Sequence, residues 1–346
     1  MKVSKKIKVL IVDDSLLFRE TLAKELSKDF GIEVVGTAAD PFDARDKILE
    51  LSPDVLTLDV EMPKMDGIAF LRKLMPQYPL PVIVVSSVGE NVFNALNAGA
   101  VDFVTKPDFT KPGGTIAFIN ELIIKIKIAS TAKVGSLKKN YSVAKVVSRQ
   151  GMDISDTVIA IGASTGGTEA VLSVVQNLPR EMPGIVIVQH MPPVFTRMYA
   201  DRLNQTCLLE VKEAENNDLI RPGRVLLAPG DFQMRVKKGP NGYYVSVEKG
   251  EKVSGHCPSV DVLFTSMAET VKGSKSVGVI LTGMGGDGAK GLLKMREGGA
   301  YTIGQDEKTC VVYGMPAVAY NIGAVATQLP LEKIPQEICD HLSVKV

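Results

Sequence analysis

Short apolar runs alternate with helix-spaced apolar positions along roughly the first 110 residues of the chain. This pattern predicts strands at residues 8–12, 34–37, 55–58, 82–85 and 103–105, and helices at residues 15–27, 44–51, 68–74, 92–98 and 116–128. Short strands that alternate with helices indicate βαβ units, because parallel neighbours need a crossover connection. We therefore expect the chain to begin with a five-stranded parallel sheet.

The alternation resumes in the second half of the chain. Buried strands are predicted at residues 157–161, 185–189, 224–228 and 277–281, and helices at residues 168–178, 195–203, 260–269, 288–297 and 331–343. Two further runs, 234–236 and 243–247, flank the turn sequence G-P-N-G at residues 239–242, which is typical of a β-hairpin. We expect a doubly wound, mainly parallel sheet with an antiparallel hairpin.

Charge changes sharply between these two patterns. Residues 125–152 contain seven Lys or Arg residues and no Asp or Glu, in a chain of 346 residues that suits two domains. We predict a first domain at 1–125, a basic interdomain linker at 126–153 and a second domain at 154–346. The linker is either a solvated tether or a contact surface for an acidic partner.

Composition excludes several classes of protein. The chain is 45% hydrophobic and 23% charged with a net charge of +1, which is typical of a globular protein and argues against a nucleic-acid binder. No apolar run approaches the roughly 20 residues of a membrane helix, so we expect no membrane insertion. The basic start leads into a short apolar run at residues 9–12 that is followed at once by Asp13 and Asp14, unlike a signal peptide. Four widely spaced cysteines without a C-x-x-C pair indicate reduced thiols and a cytoplasmic location.

Polar residues follow four strands of the first domain at the point where each strand ends. Asp13 and Asp14 follow the first strand, Asp59 the third, Ser86 the fourth and Lys106 the fifth. Sites in open parallel sheets form at the carboxyl ends of strands. Clustered carboxylates bind Mg²⁺, one carboxylate can become an aspartyl phosphate, and a hydroxyl and an ammonium can hold phosphoryl oxygens.

These residues resemble the receiver domain of two-component response regulators, a flavodoxin-like fold, over residues 6–125. The matching motifs are V-D-D-S at 12–15, Asp59 followed by M-P-K-M-D-G at 62–67, Ser86, and K-P at 106–107. The resemblance implies that Asp59 accepts a phosphoryl group from a histidine kinase. It further implies Mg²⁺ held by Asp14, Asp59, the backbone carbonyl of Glu61 and, through water, Asp13, with Ser86, Phe103 and Lys106 as the residues that respond to phosphorylation.

A candidate nucleophile, Ser164, lies in the turn G-A-S-T-G-G at residues 162–167, between a predicted strand and helix. The G-x-S-x-G spacing is typical of a tight turn that exposes a serine, and the N–H groups that open the following helix can stabilise an oxyanion. The same turn is compatible with a phosphate or nucleotide cradle, or with a purely structural turn.

Three histidines are available as the base for this serine. His190 ends the predicted neighbouring strand, so a parallel sheet brings it to the same edge as Ser164. Asp287, in the glycine-rich turn T-G-M-G-G-D-G at 282–288, follows a further strand and can orient His190. The N–H of Met284 in that turn is a candidate oxyanion donor. His341 falls on a terminal amphipathic helix and is read as a surface residue.

A rival arrangement pairs His256 with Asp231 or Asp218. It ranks lower, because neither carboxylate lies between a strong strand signal and a helix.

Residues 155–346 resemble the catalytic domain of the chemotaxis protein-glutamate methylesterases, the CheB family, which has a Rossmann-like sheet. The matching segments are I-G-A-S-T-G-G at 161–167, V-Q-H-M-P at 188–192, L-A-P-G at 227–230, P-S-V-D-V-L-F at 258–264, L-T-G-M-G-G-D-G at 281–288 and G-M-P at 314–316. Together with the receiver, the resemblance covers nearly the whole chain.

The resemblance implies a phosphorylation-activated hydrolase that demethylates glutamyl methyl esters on chemoreceptors and also deamidates glutamines. The implied catalytic triad is Ser164, His190 and Asp287, with Thr165, Met284 and Gly285 around the oxyanion and no cofactor in this domain. Two other classes stay open from the residues: a response regulator whose second domain binds a nucleotide, and a non-catalytic adaptor. An intact Ser, His and Asp set disfavours the adaptor.

Overall fold

The computed structural model describes residues 5–62, 66–87, 89, 91–107, 114–134, 154 and 156–343. The chain divides into two compact units, Met1–Lys138 and Lys139–Val346. Each contains its own parallel sheet. No helix in the described ranges combines the length and the apolar character needed to cross a bilayer.

The first unit alternates strands and helices as the sequence predicts. Its elements are β1 (Ile7–Val12), α1 (Leu16–Leu26), β2 (Ile32–Ala38), α2 (Pro41–Leu51), β3 (Val55–Leu58), α3 (Gly67–Gln77), β4 (Val82–Ser86), α4 (Asn91–Asn97), β5 (Asp102–Thr105) and α5 (Gly114–Ala129). The sheet order is β2-β1-β3-β4-β5, with every neighbouring pair parallel. The prediction of a five-stranded parallel sheet is confirmed.

Side chains in front of three helices fix where those helices begin. Ser15 accepts a hydrogen bond from the N–H of Phe18, Asp40 from the N–H groups of Phe42 and Asp43, and Asp66 from the N–H of Ile68. Such caps satisfy N–H groups that have no partner inside the helix. The caps of α1 and α3 also bring Asp13 and Asp59 close to helix starts.

The predicted linker only partly overlaps the described residues. Helix α5 continues through Ala129, so the first four positions of the predicted 126–153 segment are helical. Residues 135–153 lie outside the described residues, and the linker stays a prediction there.

The second unit contains a larger sheet. Its elements are β6 (Val158–Ala163), α6 (Gly167–Val175), β7 (Gly184–Gln189), α7 (Phe195–Thr206), β8 (Glu210–Glu213), β9 (Arg224–Leu227), β10 (Phe232–Gly239), β11 (Gly242–Lys249), α8 (Val260–Thr270), β12 (Ser276–Ile280), α9 (Ala289–Glu297), β13 (Tyr301–Gln305), α10 (Met315–Asn321), β14 (Thr327–Leu329) and α11 (Ile334–Leu342). Seven parallel strands follow the order β14-β13-β12-β6-β7-β9-β8.

The strand order reverses direction at the centre of this sheet. From β6 the chain adds β7, then the edge strand β8 and then β9 between β7 and β8, before it returns to place β12 on the other side of β6. In open α/β sheets the crevice at such a reversal is where ligands bind. The turns after β6 and β12 therefore meet at the crevice where ligands bind in this type of sheet.

The predicted hairpin is confirmed as a separate two-stranded sheet. Strands β10 and β11 pair in antiparallel register from Phe232↔Lys249 to Gly239↔Gly242. Gly242 has φ +112°, a conformation that a residue with a Cβ rarely adopts. Helix α8 packs its buried face against the hairpin through Leu263, Phe264 and Met267, within one apolar cluster. The hairpin thus supports the helix that borders the site.

Candidate active site and phosphorylation site

The acidic residues of the first unit converge as predicted. The ammonium of Lys106, just after β5, lies 2.6 Å from Asp59 Oδ2 and 2.9 Å from Asp13 Oδ2. Carboxylate oxygens of Asp13, Asp14 and Asp59 all lie within 4.8 Å of one another. Asp13 and Asp59 are buried, whereas Asp14 is exposed. The ammonium of Lys106 thus lies against two of these three carboxylates.

The charges in this cluster perturb one another. Burial raises the pKa of Asp13, with a smaller contribution from the charge of Asp59, and these effects outweigh the lowering by Lys106 and the Ser15 N–H. Burial alone would lower the pKa of Lys106, but hydrogen bonds and charge from Asp59 and Asp13 raise it. The pocket therefore holds more negative charge than its lysine neutralises, a property that favours a hard dication.

Glycine is required next to Asp59. A Cβ on Gly67, the first residue of α3, would lie 2.4 Å from the Asp59 carbonyl oxygen and 2.8 Å from the Cα of Val60. The start of α3 therefore packs directly on the backbone of Asp59. Residues 63–65 of the motif that follows Asp59 lie outside the described residues.

The other residues predicted for this site lie on β4, on β5 and after β3. Ser86 ends β4, is 1% exposed, and its hydroxyl has no hydrogen-bond partner among the described residues. Phe103, on the neighbouring strand β5, is buried, and the ammonium of Lys125 lies 5.0 Å from its ring centroid. The exposed Glu61 donates its backbone N–H to Asp59 Oδ1 at 3.0 Å. An unpaired buried hydroxyl is the group expected where an oxygen-rich ligand binds.

In the second unit, Ser164 lies directly after β6 at the strand-order reversal. Its N–H donates to the Thr282 carbonyl at 3.0 Å, and its carbonyl accepts from the Gly167 N–H at 2.7 Å. A Cβ on Gly283 would come within 2.6 Å of Ser164 Cβ, so only glycine lets the turn after β12 approach the serine this closely. Gly166, with φ +75°, turns the chain into α6.

His190 and Asp287 form a direct pair at the same sheet edge. His190 Nε2 lies 2.8 Å from Asp287 Oδ2, and the two side chains are 8% and 1% exposed. The second ring nitrogen of His190, Nδ1, is buried and has no hydrogen-bond partner among the described residues. The structure thus contains the predicted histidine–aspartate bond, while the bond between Ser164 and His190 is not formed.

Asp287 is held by the start of a helix that sequence reasoning did not connect to it. Its oxygens accept from the Ser259 hydroxyl (2.7 Å) and from the N–H groups of Val260 (2.7 Å) and Asp261 (3.1 Å), at the beginning of α8. Burial alone would raise the pKa of Asp287, but the hydrogen bond and charge of His190 and the bonds from Ser259 and Val260 lower it. The carboxylate is therefore ionised and fixed in direction.

Gln189 is a second residue that the sequence did not single out. Its side-chain amide donates to the carbonyl of Ser164 at 2.9 Å and to that of His190 at 3.1 Å, and the residue is 3% exposed. One buried side chain thus links the backbones of both residues. The signal available was a glutamine at the end of an otherwise apolar strand.

The candidate oxyanion residues lie beside Ser164. Met284 is 45% exposed, and its N–H donates to no acceptor among the described residues. Gly285 follows with φ +83° and open space around its Cα. Thr165 is buried, and its carbonyl accepts from the Thr282 hydroxyl at 3.0 Å. This leaves backbone N–H groups of the Met284 turn available to a ligand.

The alternative pairing of His256 with Asp218 or Asp231 is not formed in the structure. The Asp218 carboxylate bonds to Lys212 and to the N–H of Glu215, and the Asp231 side chain is exposed. His256 instead stacks on His190, with ring centroids 3.6 Å apart and planes at 10°. Burial and the neighbouring His190 lower the pKa of His256 to about 4.

These features define a class of protein: a response regulator, in which a receiver sheet with an acidic pocket precedes a larger α/β unit with a serine, histidine and aspartate cluster. The family model for the response regulator receiver domain matches residues 9–111, and the model described as CheB methylesterase matches residues 159–338. The chain belongs to the CheB methylesterase family.

Close relatives span the full length of the chain. A protein-glutamate methylesterase/protein-glutamine glutaminase 2 of Syntrophomonas wolfei is 59% identical over 337 residues, covering 96% of this chain and 97% of the relative. A protein of Syntrophotalea carbinolica with the same name, without the number, is 53% identical over 98% of each chain. The crystal structure of the Thermotoga maritima CheB methylesterase catalytic domain is similar with a TM-score of 0.52 and 40% identity, covering 56% of this chain and 99% of that one.

Proposed function

We propose that this protein is a phosphorylation-activated hydrolase that removes methyl groups from glutamyl methyl esters on chemoreceptors and deamidates receptor glutamines. The observation that carries the proposal is the 2.8 Å bond between His190 and Asp287 at the sheet edge where Ser164 lies. The names of the full-length relatives support the choice of ester and amide. The work of this enzyme in the cell is then sensory adaptation in chemotaxis.

Acylation begins at Nδ1 of His190. Because Asp287 accepts the proton on Nε2, the lone pair of the neutral ring lies on Nδ1, the nitrogen without a partner among the described residues. Nδ1 takes the hydroxyl proton of Ser164 while the serine oxygen attacks the carbonyl carbon of the glutamyl ester. Asp287 stabilises the imidazolium that forms.

The tetrahedral intermediate carries its charge on the former carbonyl oxygen. The Met284 N–H is the first donor for this oxyanion, and the backbone around Gly285 and Thr165 completes the site. Collapse expels methanol, or ammonia from a glutamine, with the proton returned by His190. Water, deprotonated by His190, then attacks the acyl-serine, and glutamate and free Ser164 are released.

The first unit controls this reaction through Asp59. The carboxylates of Asp13, Asp14 and Asp59 and the carbonyl of Glu61 are hard oxygen donors suited to Mg²⁺, which supplies charge neutralisation for phosphoryl transfer when bound. Asp59 accepts the phosphoryl group from a histidine kinase. Lys106 and the unpaired hydroxyl of Ser86 then hold phosphoryl oxygens, with Phe103 changing position as the second switch residue. Both proposed partners, the histidine kinase and the chemoreceptors, support a cytoplasmic location for the protein.

Methanol release from methyl-labelled receptor membranes tests both halves of the proposal. We expect the wild type to release methanol faster when a small phosphodonor is added, and Ser164→Ala to release essentially none with or without it. Asp59→Ala should show no acceleration by the phosphodonor. Ser173→Ala is the matched serine control, because the Ser173 hydroxyl is buried without a hydrogen-bond partner among the described residues.

Two results would contradict the proposal separately. Undiminished methanol release by Ser164→Ala removes the assignment of the nucleophile. Equal rates of the wild type with and without phosphodonor remove the control by Asp59 and leave the hydrolase intact.

A further inference from the structure

The imidazole of His256 lies against His190, the base of the proposed reaction, and takes part in none of the proposed steps. His256, in the loop between β11 and α8, lies parallel to the ring of His190 at a centroid distance of 3.6 Å. It also lines a cavity of about 310 Å³ together with Ser254, Asp287, Gly285 and Lys290. Its ring therefore contacts the catalytic histidine on one side and the space next to the site on another.

The loop that carries His256 is fixed by a buried amide. Gln233, on β10 and 1% exposed, donates from Nε2 to the carbonyls of Glu251 (2.9 Å) and His256 (3.3 Å), and accepts from the Ser259 N–H at 2.9 Å. Val253 and His256 also exchange two backbone bonds of 2.9 Å. The amide that holds His256 thus also holds Ser259, whose hydroxyl donates to Asp287.

The groups around His256 set its charge, and its charge decides how its ring can interact with His190. Its charged surroundings are Lys252 on its own loop, His190 after β7, Asp287 after β12, and Asp261 and Lys290 along the shared cavity. Burial and His190 lower the pKa of His256 to about 4, against the opposing effect of Asp287. The ring is therefore uncharged at neutral pH, and its π face can accept the positive charge that develops on His190.

Without this contact the orientation of His190 would rest on one side-chain bond. Nε2 is held by Asp287, whereas Nδ1 has no partner among the described residues, so the ring can tilt about the Nε2 bond. A parallel ring at 3.6 Å blocks tilting toward its side. Small departures of a base from reaction geometry are costly in rate.

We propose that His256 is a positioning residue that fixes the plane of the His190 ring, directs Nδ1 at Ser164 and stabilises the imidazolium through its π face. The inference rests on the proposed function. It requires the flat aromatic face of residue 256 and none of its nitrogens.

Three substitutions separate this role from receptor binding: His256→Phe, which keeps an aromatic face, His256→Leu, which keeps apolar bulk, and His256→Ala. Two assays are run on each variant. Methanol release from labelled receptor gives kcat and KM, and labelling of Ser164 by a fluorophosphonate gives a rate that reports the activated serine without receptor. Thermal unfolding of each variant accompanies the rates.

We expect His256→Leu and His256→Ala to lose about tenfold in kcat and in labelling rate, with KM changed little, and His256→Phe to stay within about threefold of the wild type in both. Unchanged labelling in His256→Leu, or a loss in His256→Phe as large as in His256→Leu, overturns the inference. If His256→Ala unfolds, the Phe and Leu pair decides alone. Failure of the proposed function appears separately, as fluorophosphonate labelling that survives Ser164→Ala.

Discussion

Asp287 shows how one side chain can combine a proposed catalytic role with a role in folding. Three of the four donors to its carboxylate belong to the first residues of α8, namely Ser259, Val260 and Asp261, and the fourth is His190. A carboxylate at a helix N-terminus is stabilised by free N–H groups and by the helix dipole. The residue proposed to orient the base is therefore itself held in direction by the start of α8.

Asp287→Asn should impair both roles. An amide presents an N–H₂ group to donors that need an acceptor, so we expect kcat to fall by about 10³–10⁴-fold and the free energy of unfolding to fall by about 1–3 kcal/mol. Methanol release and urea unfolding measure the two effects. Asp231→Asn, at an exposed carboxylate, is the matched control and should stay near the wild type.

The stability difference between wild type and Asp287→Asn depends on pH with a defined sign. Because the folded state lowers the pKa of Asp287 below its ordinary value of 3.8, the ionised carboxylate stabilises the fold above that value. The difference should be constant near neutral pH and shrink as the pH falls below about 3.8. A difference that grew in acid would contradict the assignment of Asp287 as an ionised, hydrogen-bonded group.

At the residue scale, a residue's place after a strand was enough to predict the sheet edge at which it lies. Ser164, His190 and Asp287 each follow a parallel strand, so the edge they share follows from the sheet. The roles of Ser259, Gln189 and His256 depend on contacts between segments 25 or more positions apart. No local pattern encodes such contacts.

At the scale of elements, the strands and helices that the sequence pattern did not predict are short or polar. Strand β8 reads Glu-Val-Lys-Glu at the sheet edge, and β14 has three residues. Strand β13 is buried but includes Thr302, Gly304 and Gln305, so it lacks an apolar run. Helix α10 has seven residues and Pro316 in its first turn. Each falls below the length or apolar content that periodicity detects.

Strand β7 ends in a polar residue, and the contacts of this residue at the site explain why it lies in a buried strand. Gln189 ends a fully buried strand, and its amide joins the carbonyls of Ser164 and His190. The Nε2 group of this amide has two acceptors and ties the turn after β6 to the turn after β7, whereas Oε1 is buried without a partner among the described residues. The spacing of two neighbouring strand ends is thus set by one side chain.

Gln189→Met should test this link, because methionine keeps the length of the side chain and removes both donors. We expect kcat and fluorophosphonate labelling to fall about tenfold and the free energy of unfolding to fall by about 1–3 kcal/mol. Gln176→Met, at the exposed end of α6, controls for the substitution itself. Wild-type labelling by Gln189→Met would show that the spacing does not depend on the amide.

At the scale of the whole molecule, the same architectural rule is used twice. Each unit has a parallel sheet whose proposed reactive residue lies at the carboxyl end of a strand: Asp59 after β3 in the first and Ser164 after β6 in the second. Alternating strands and helices were enough to predict both sheets, because parallel pairing follows from the connections. The influence of one site on the other is a coupling free energy, which a rate ratio measures.

Lys106 offers a way to break that coupling without touching the catalytic unit. Its ammonium bonds to Asp59 at 2.6 Å and to Asp13 at 2.9 Å, and after phosphorylation it is the cation available to the phosphoryl oxygens. Lys106→Met removes the charge and keeps the apolar stem. Phosphodonor should accelerate methanol release by the wild type within the roughly 5–150-fold range of allosteric coupling, and the ratio for Lys106→Met should approach one.

Lys127→Met provides the matched control, since Lys127 also pairs with an aspartate, Asp29, but at a half-exposed position on α5. It should retain the full activation ratio. The amount of phosphorylated protein is measured in parallel. If Lys106→Met accepts the phosphoryl group normally and yet is not activated, Lys106 acts after the phosphoryl group has been transferred. Full activation of Lys106→Met would instead mean that the phosphoryl group acts on Ser86 and Phe103 without the lysine, which would restrict the coupling to strands β4 and β5.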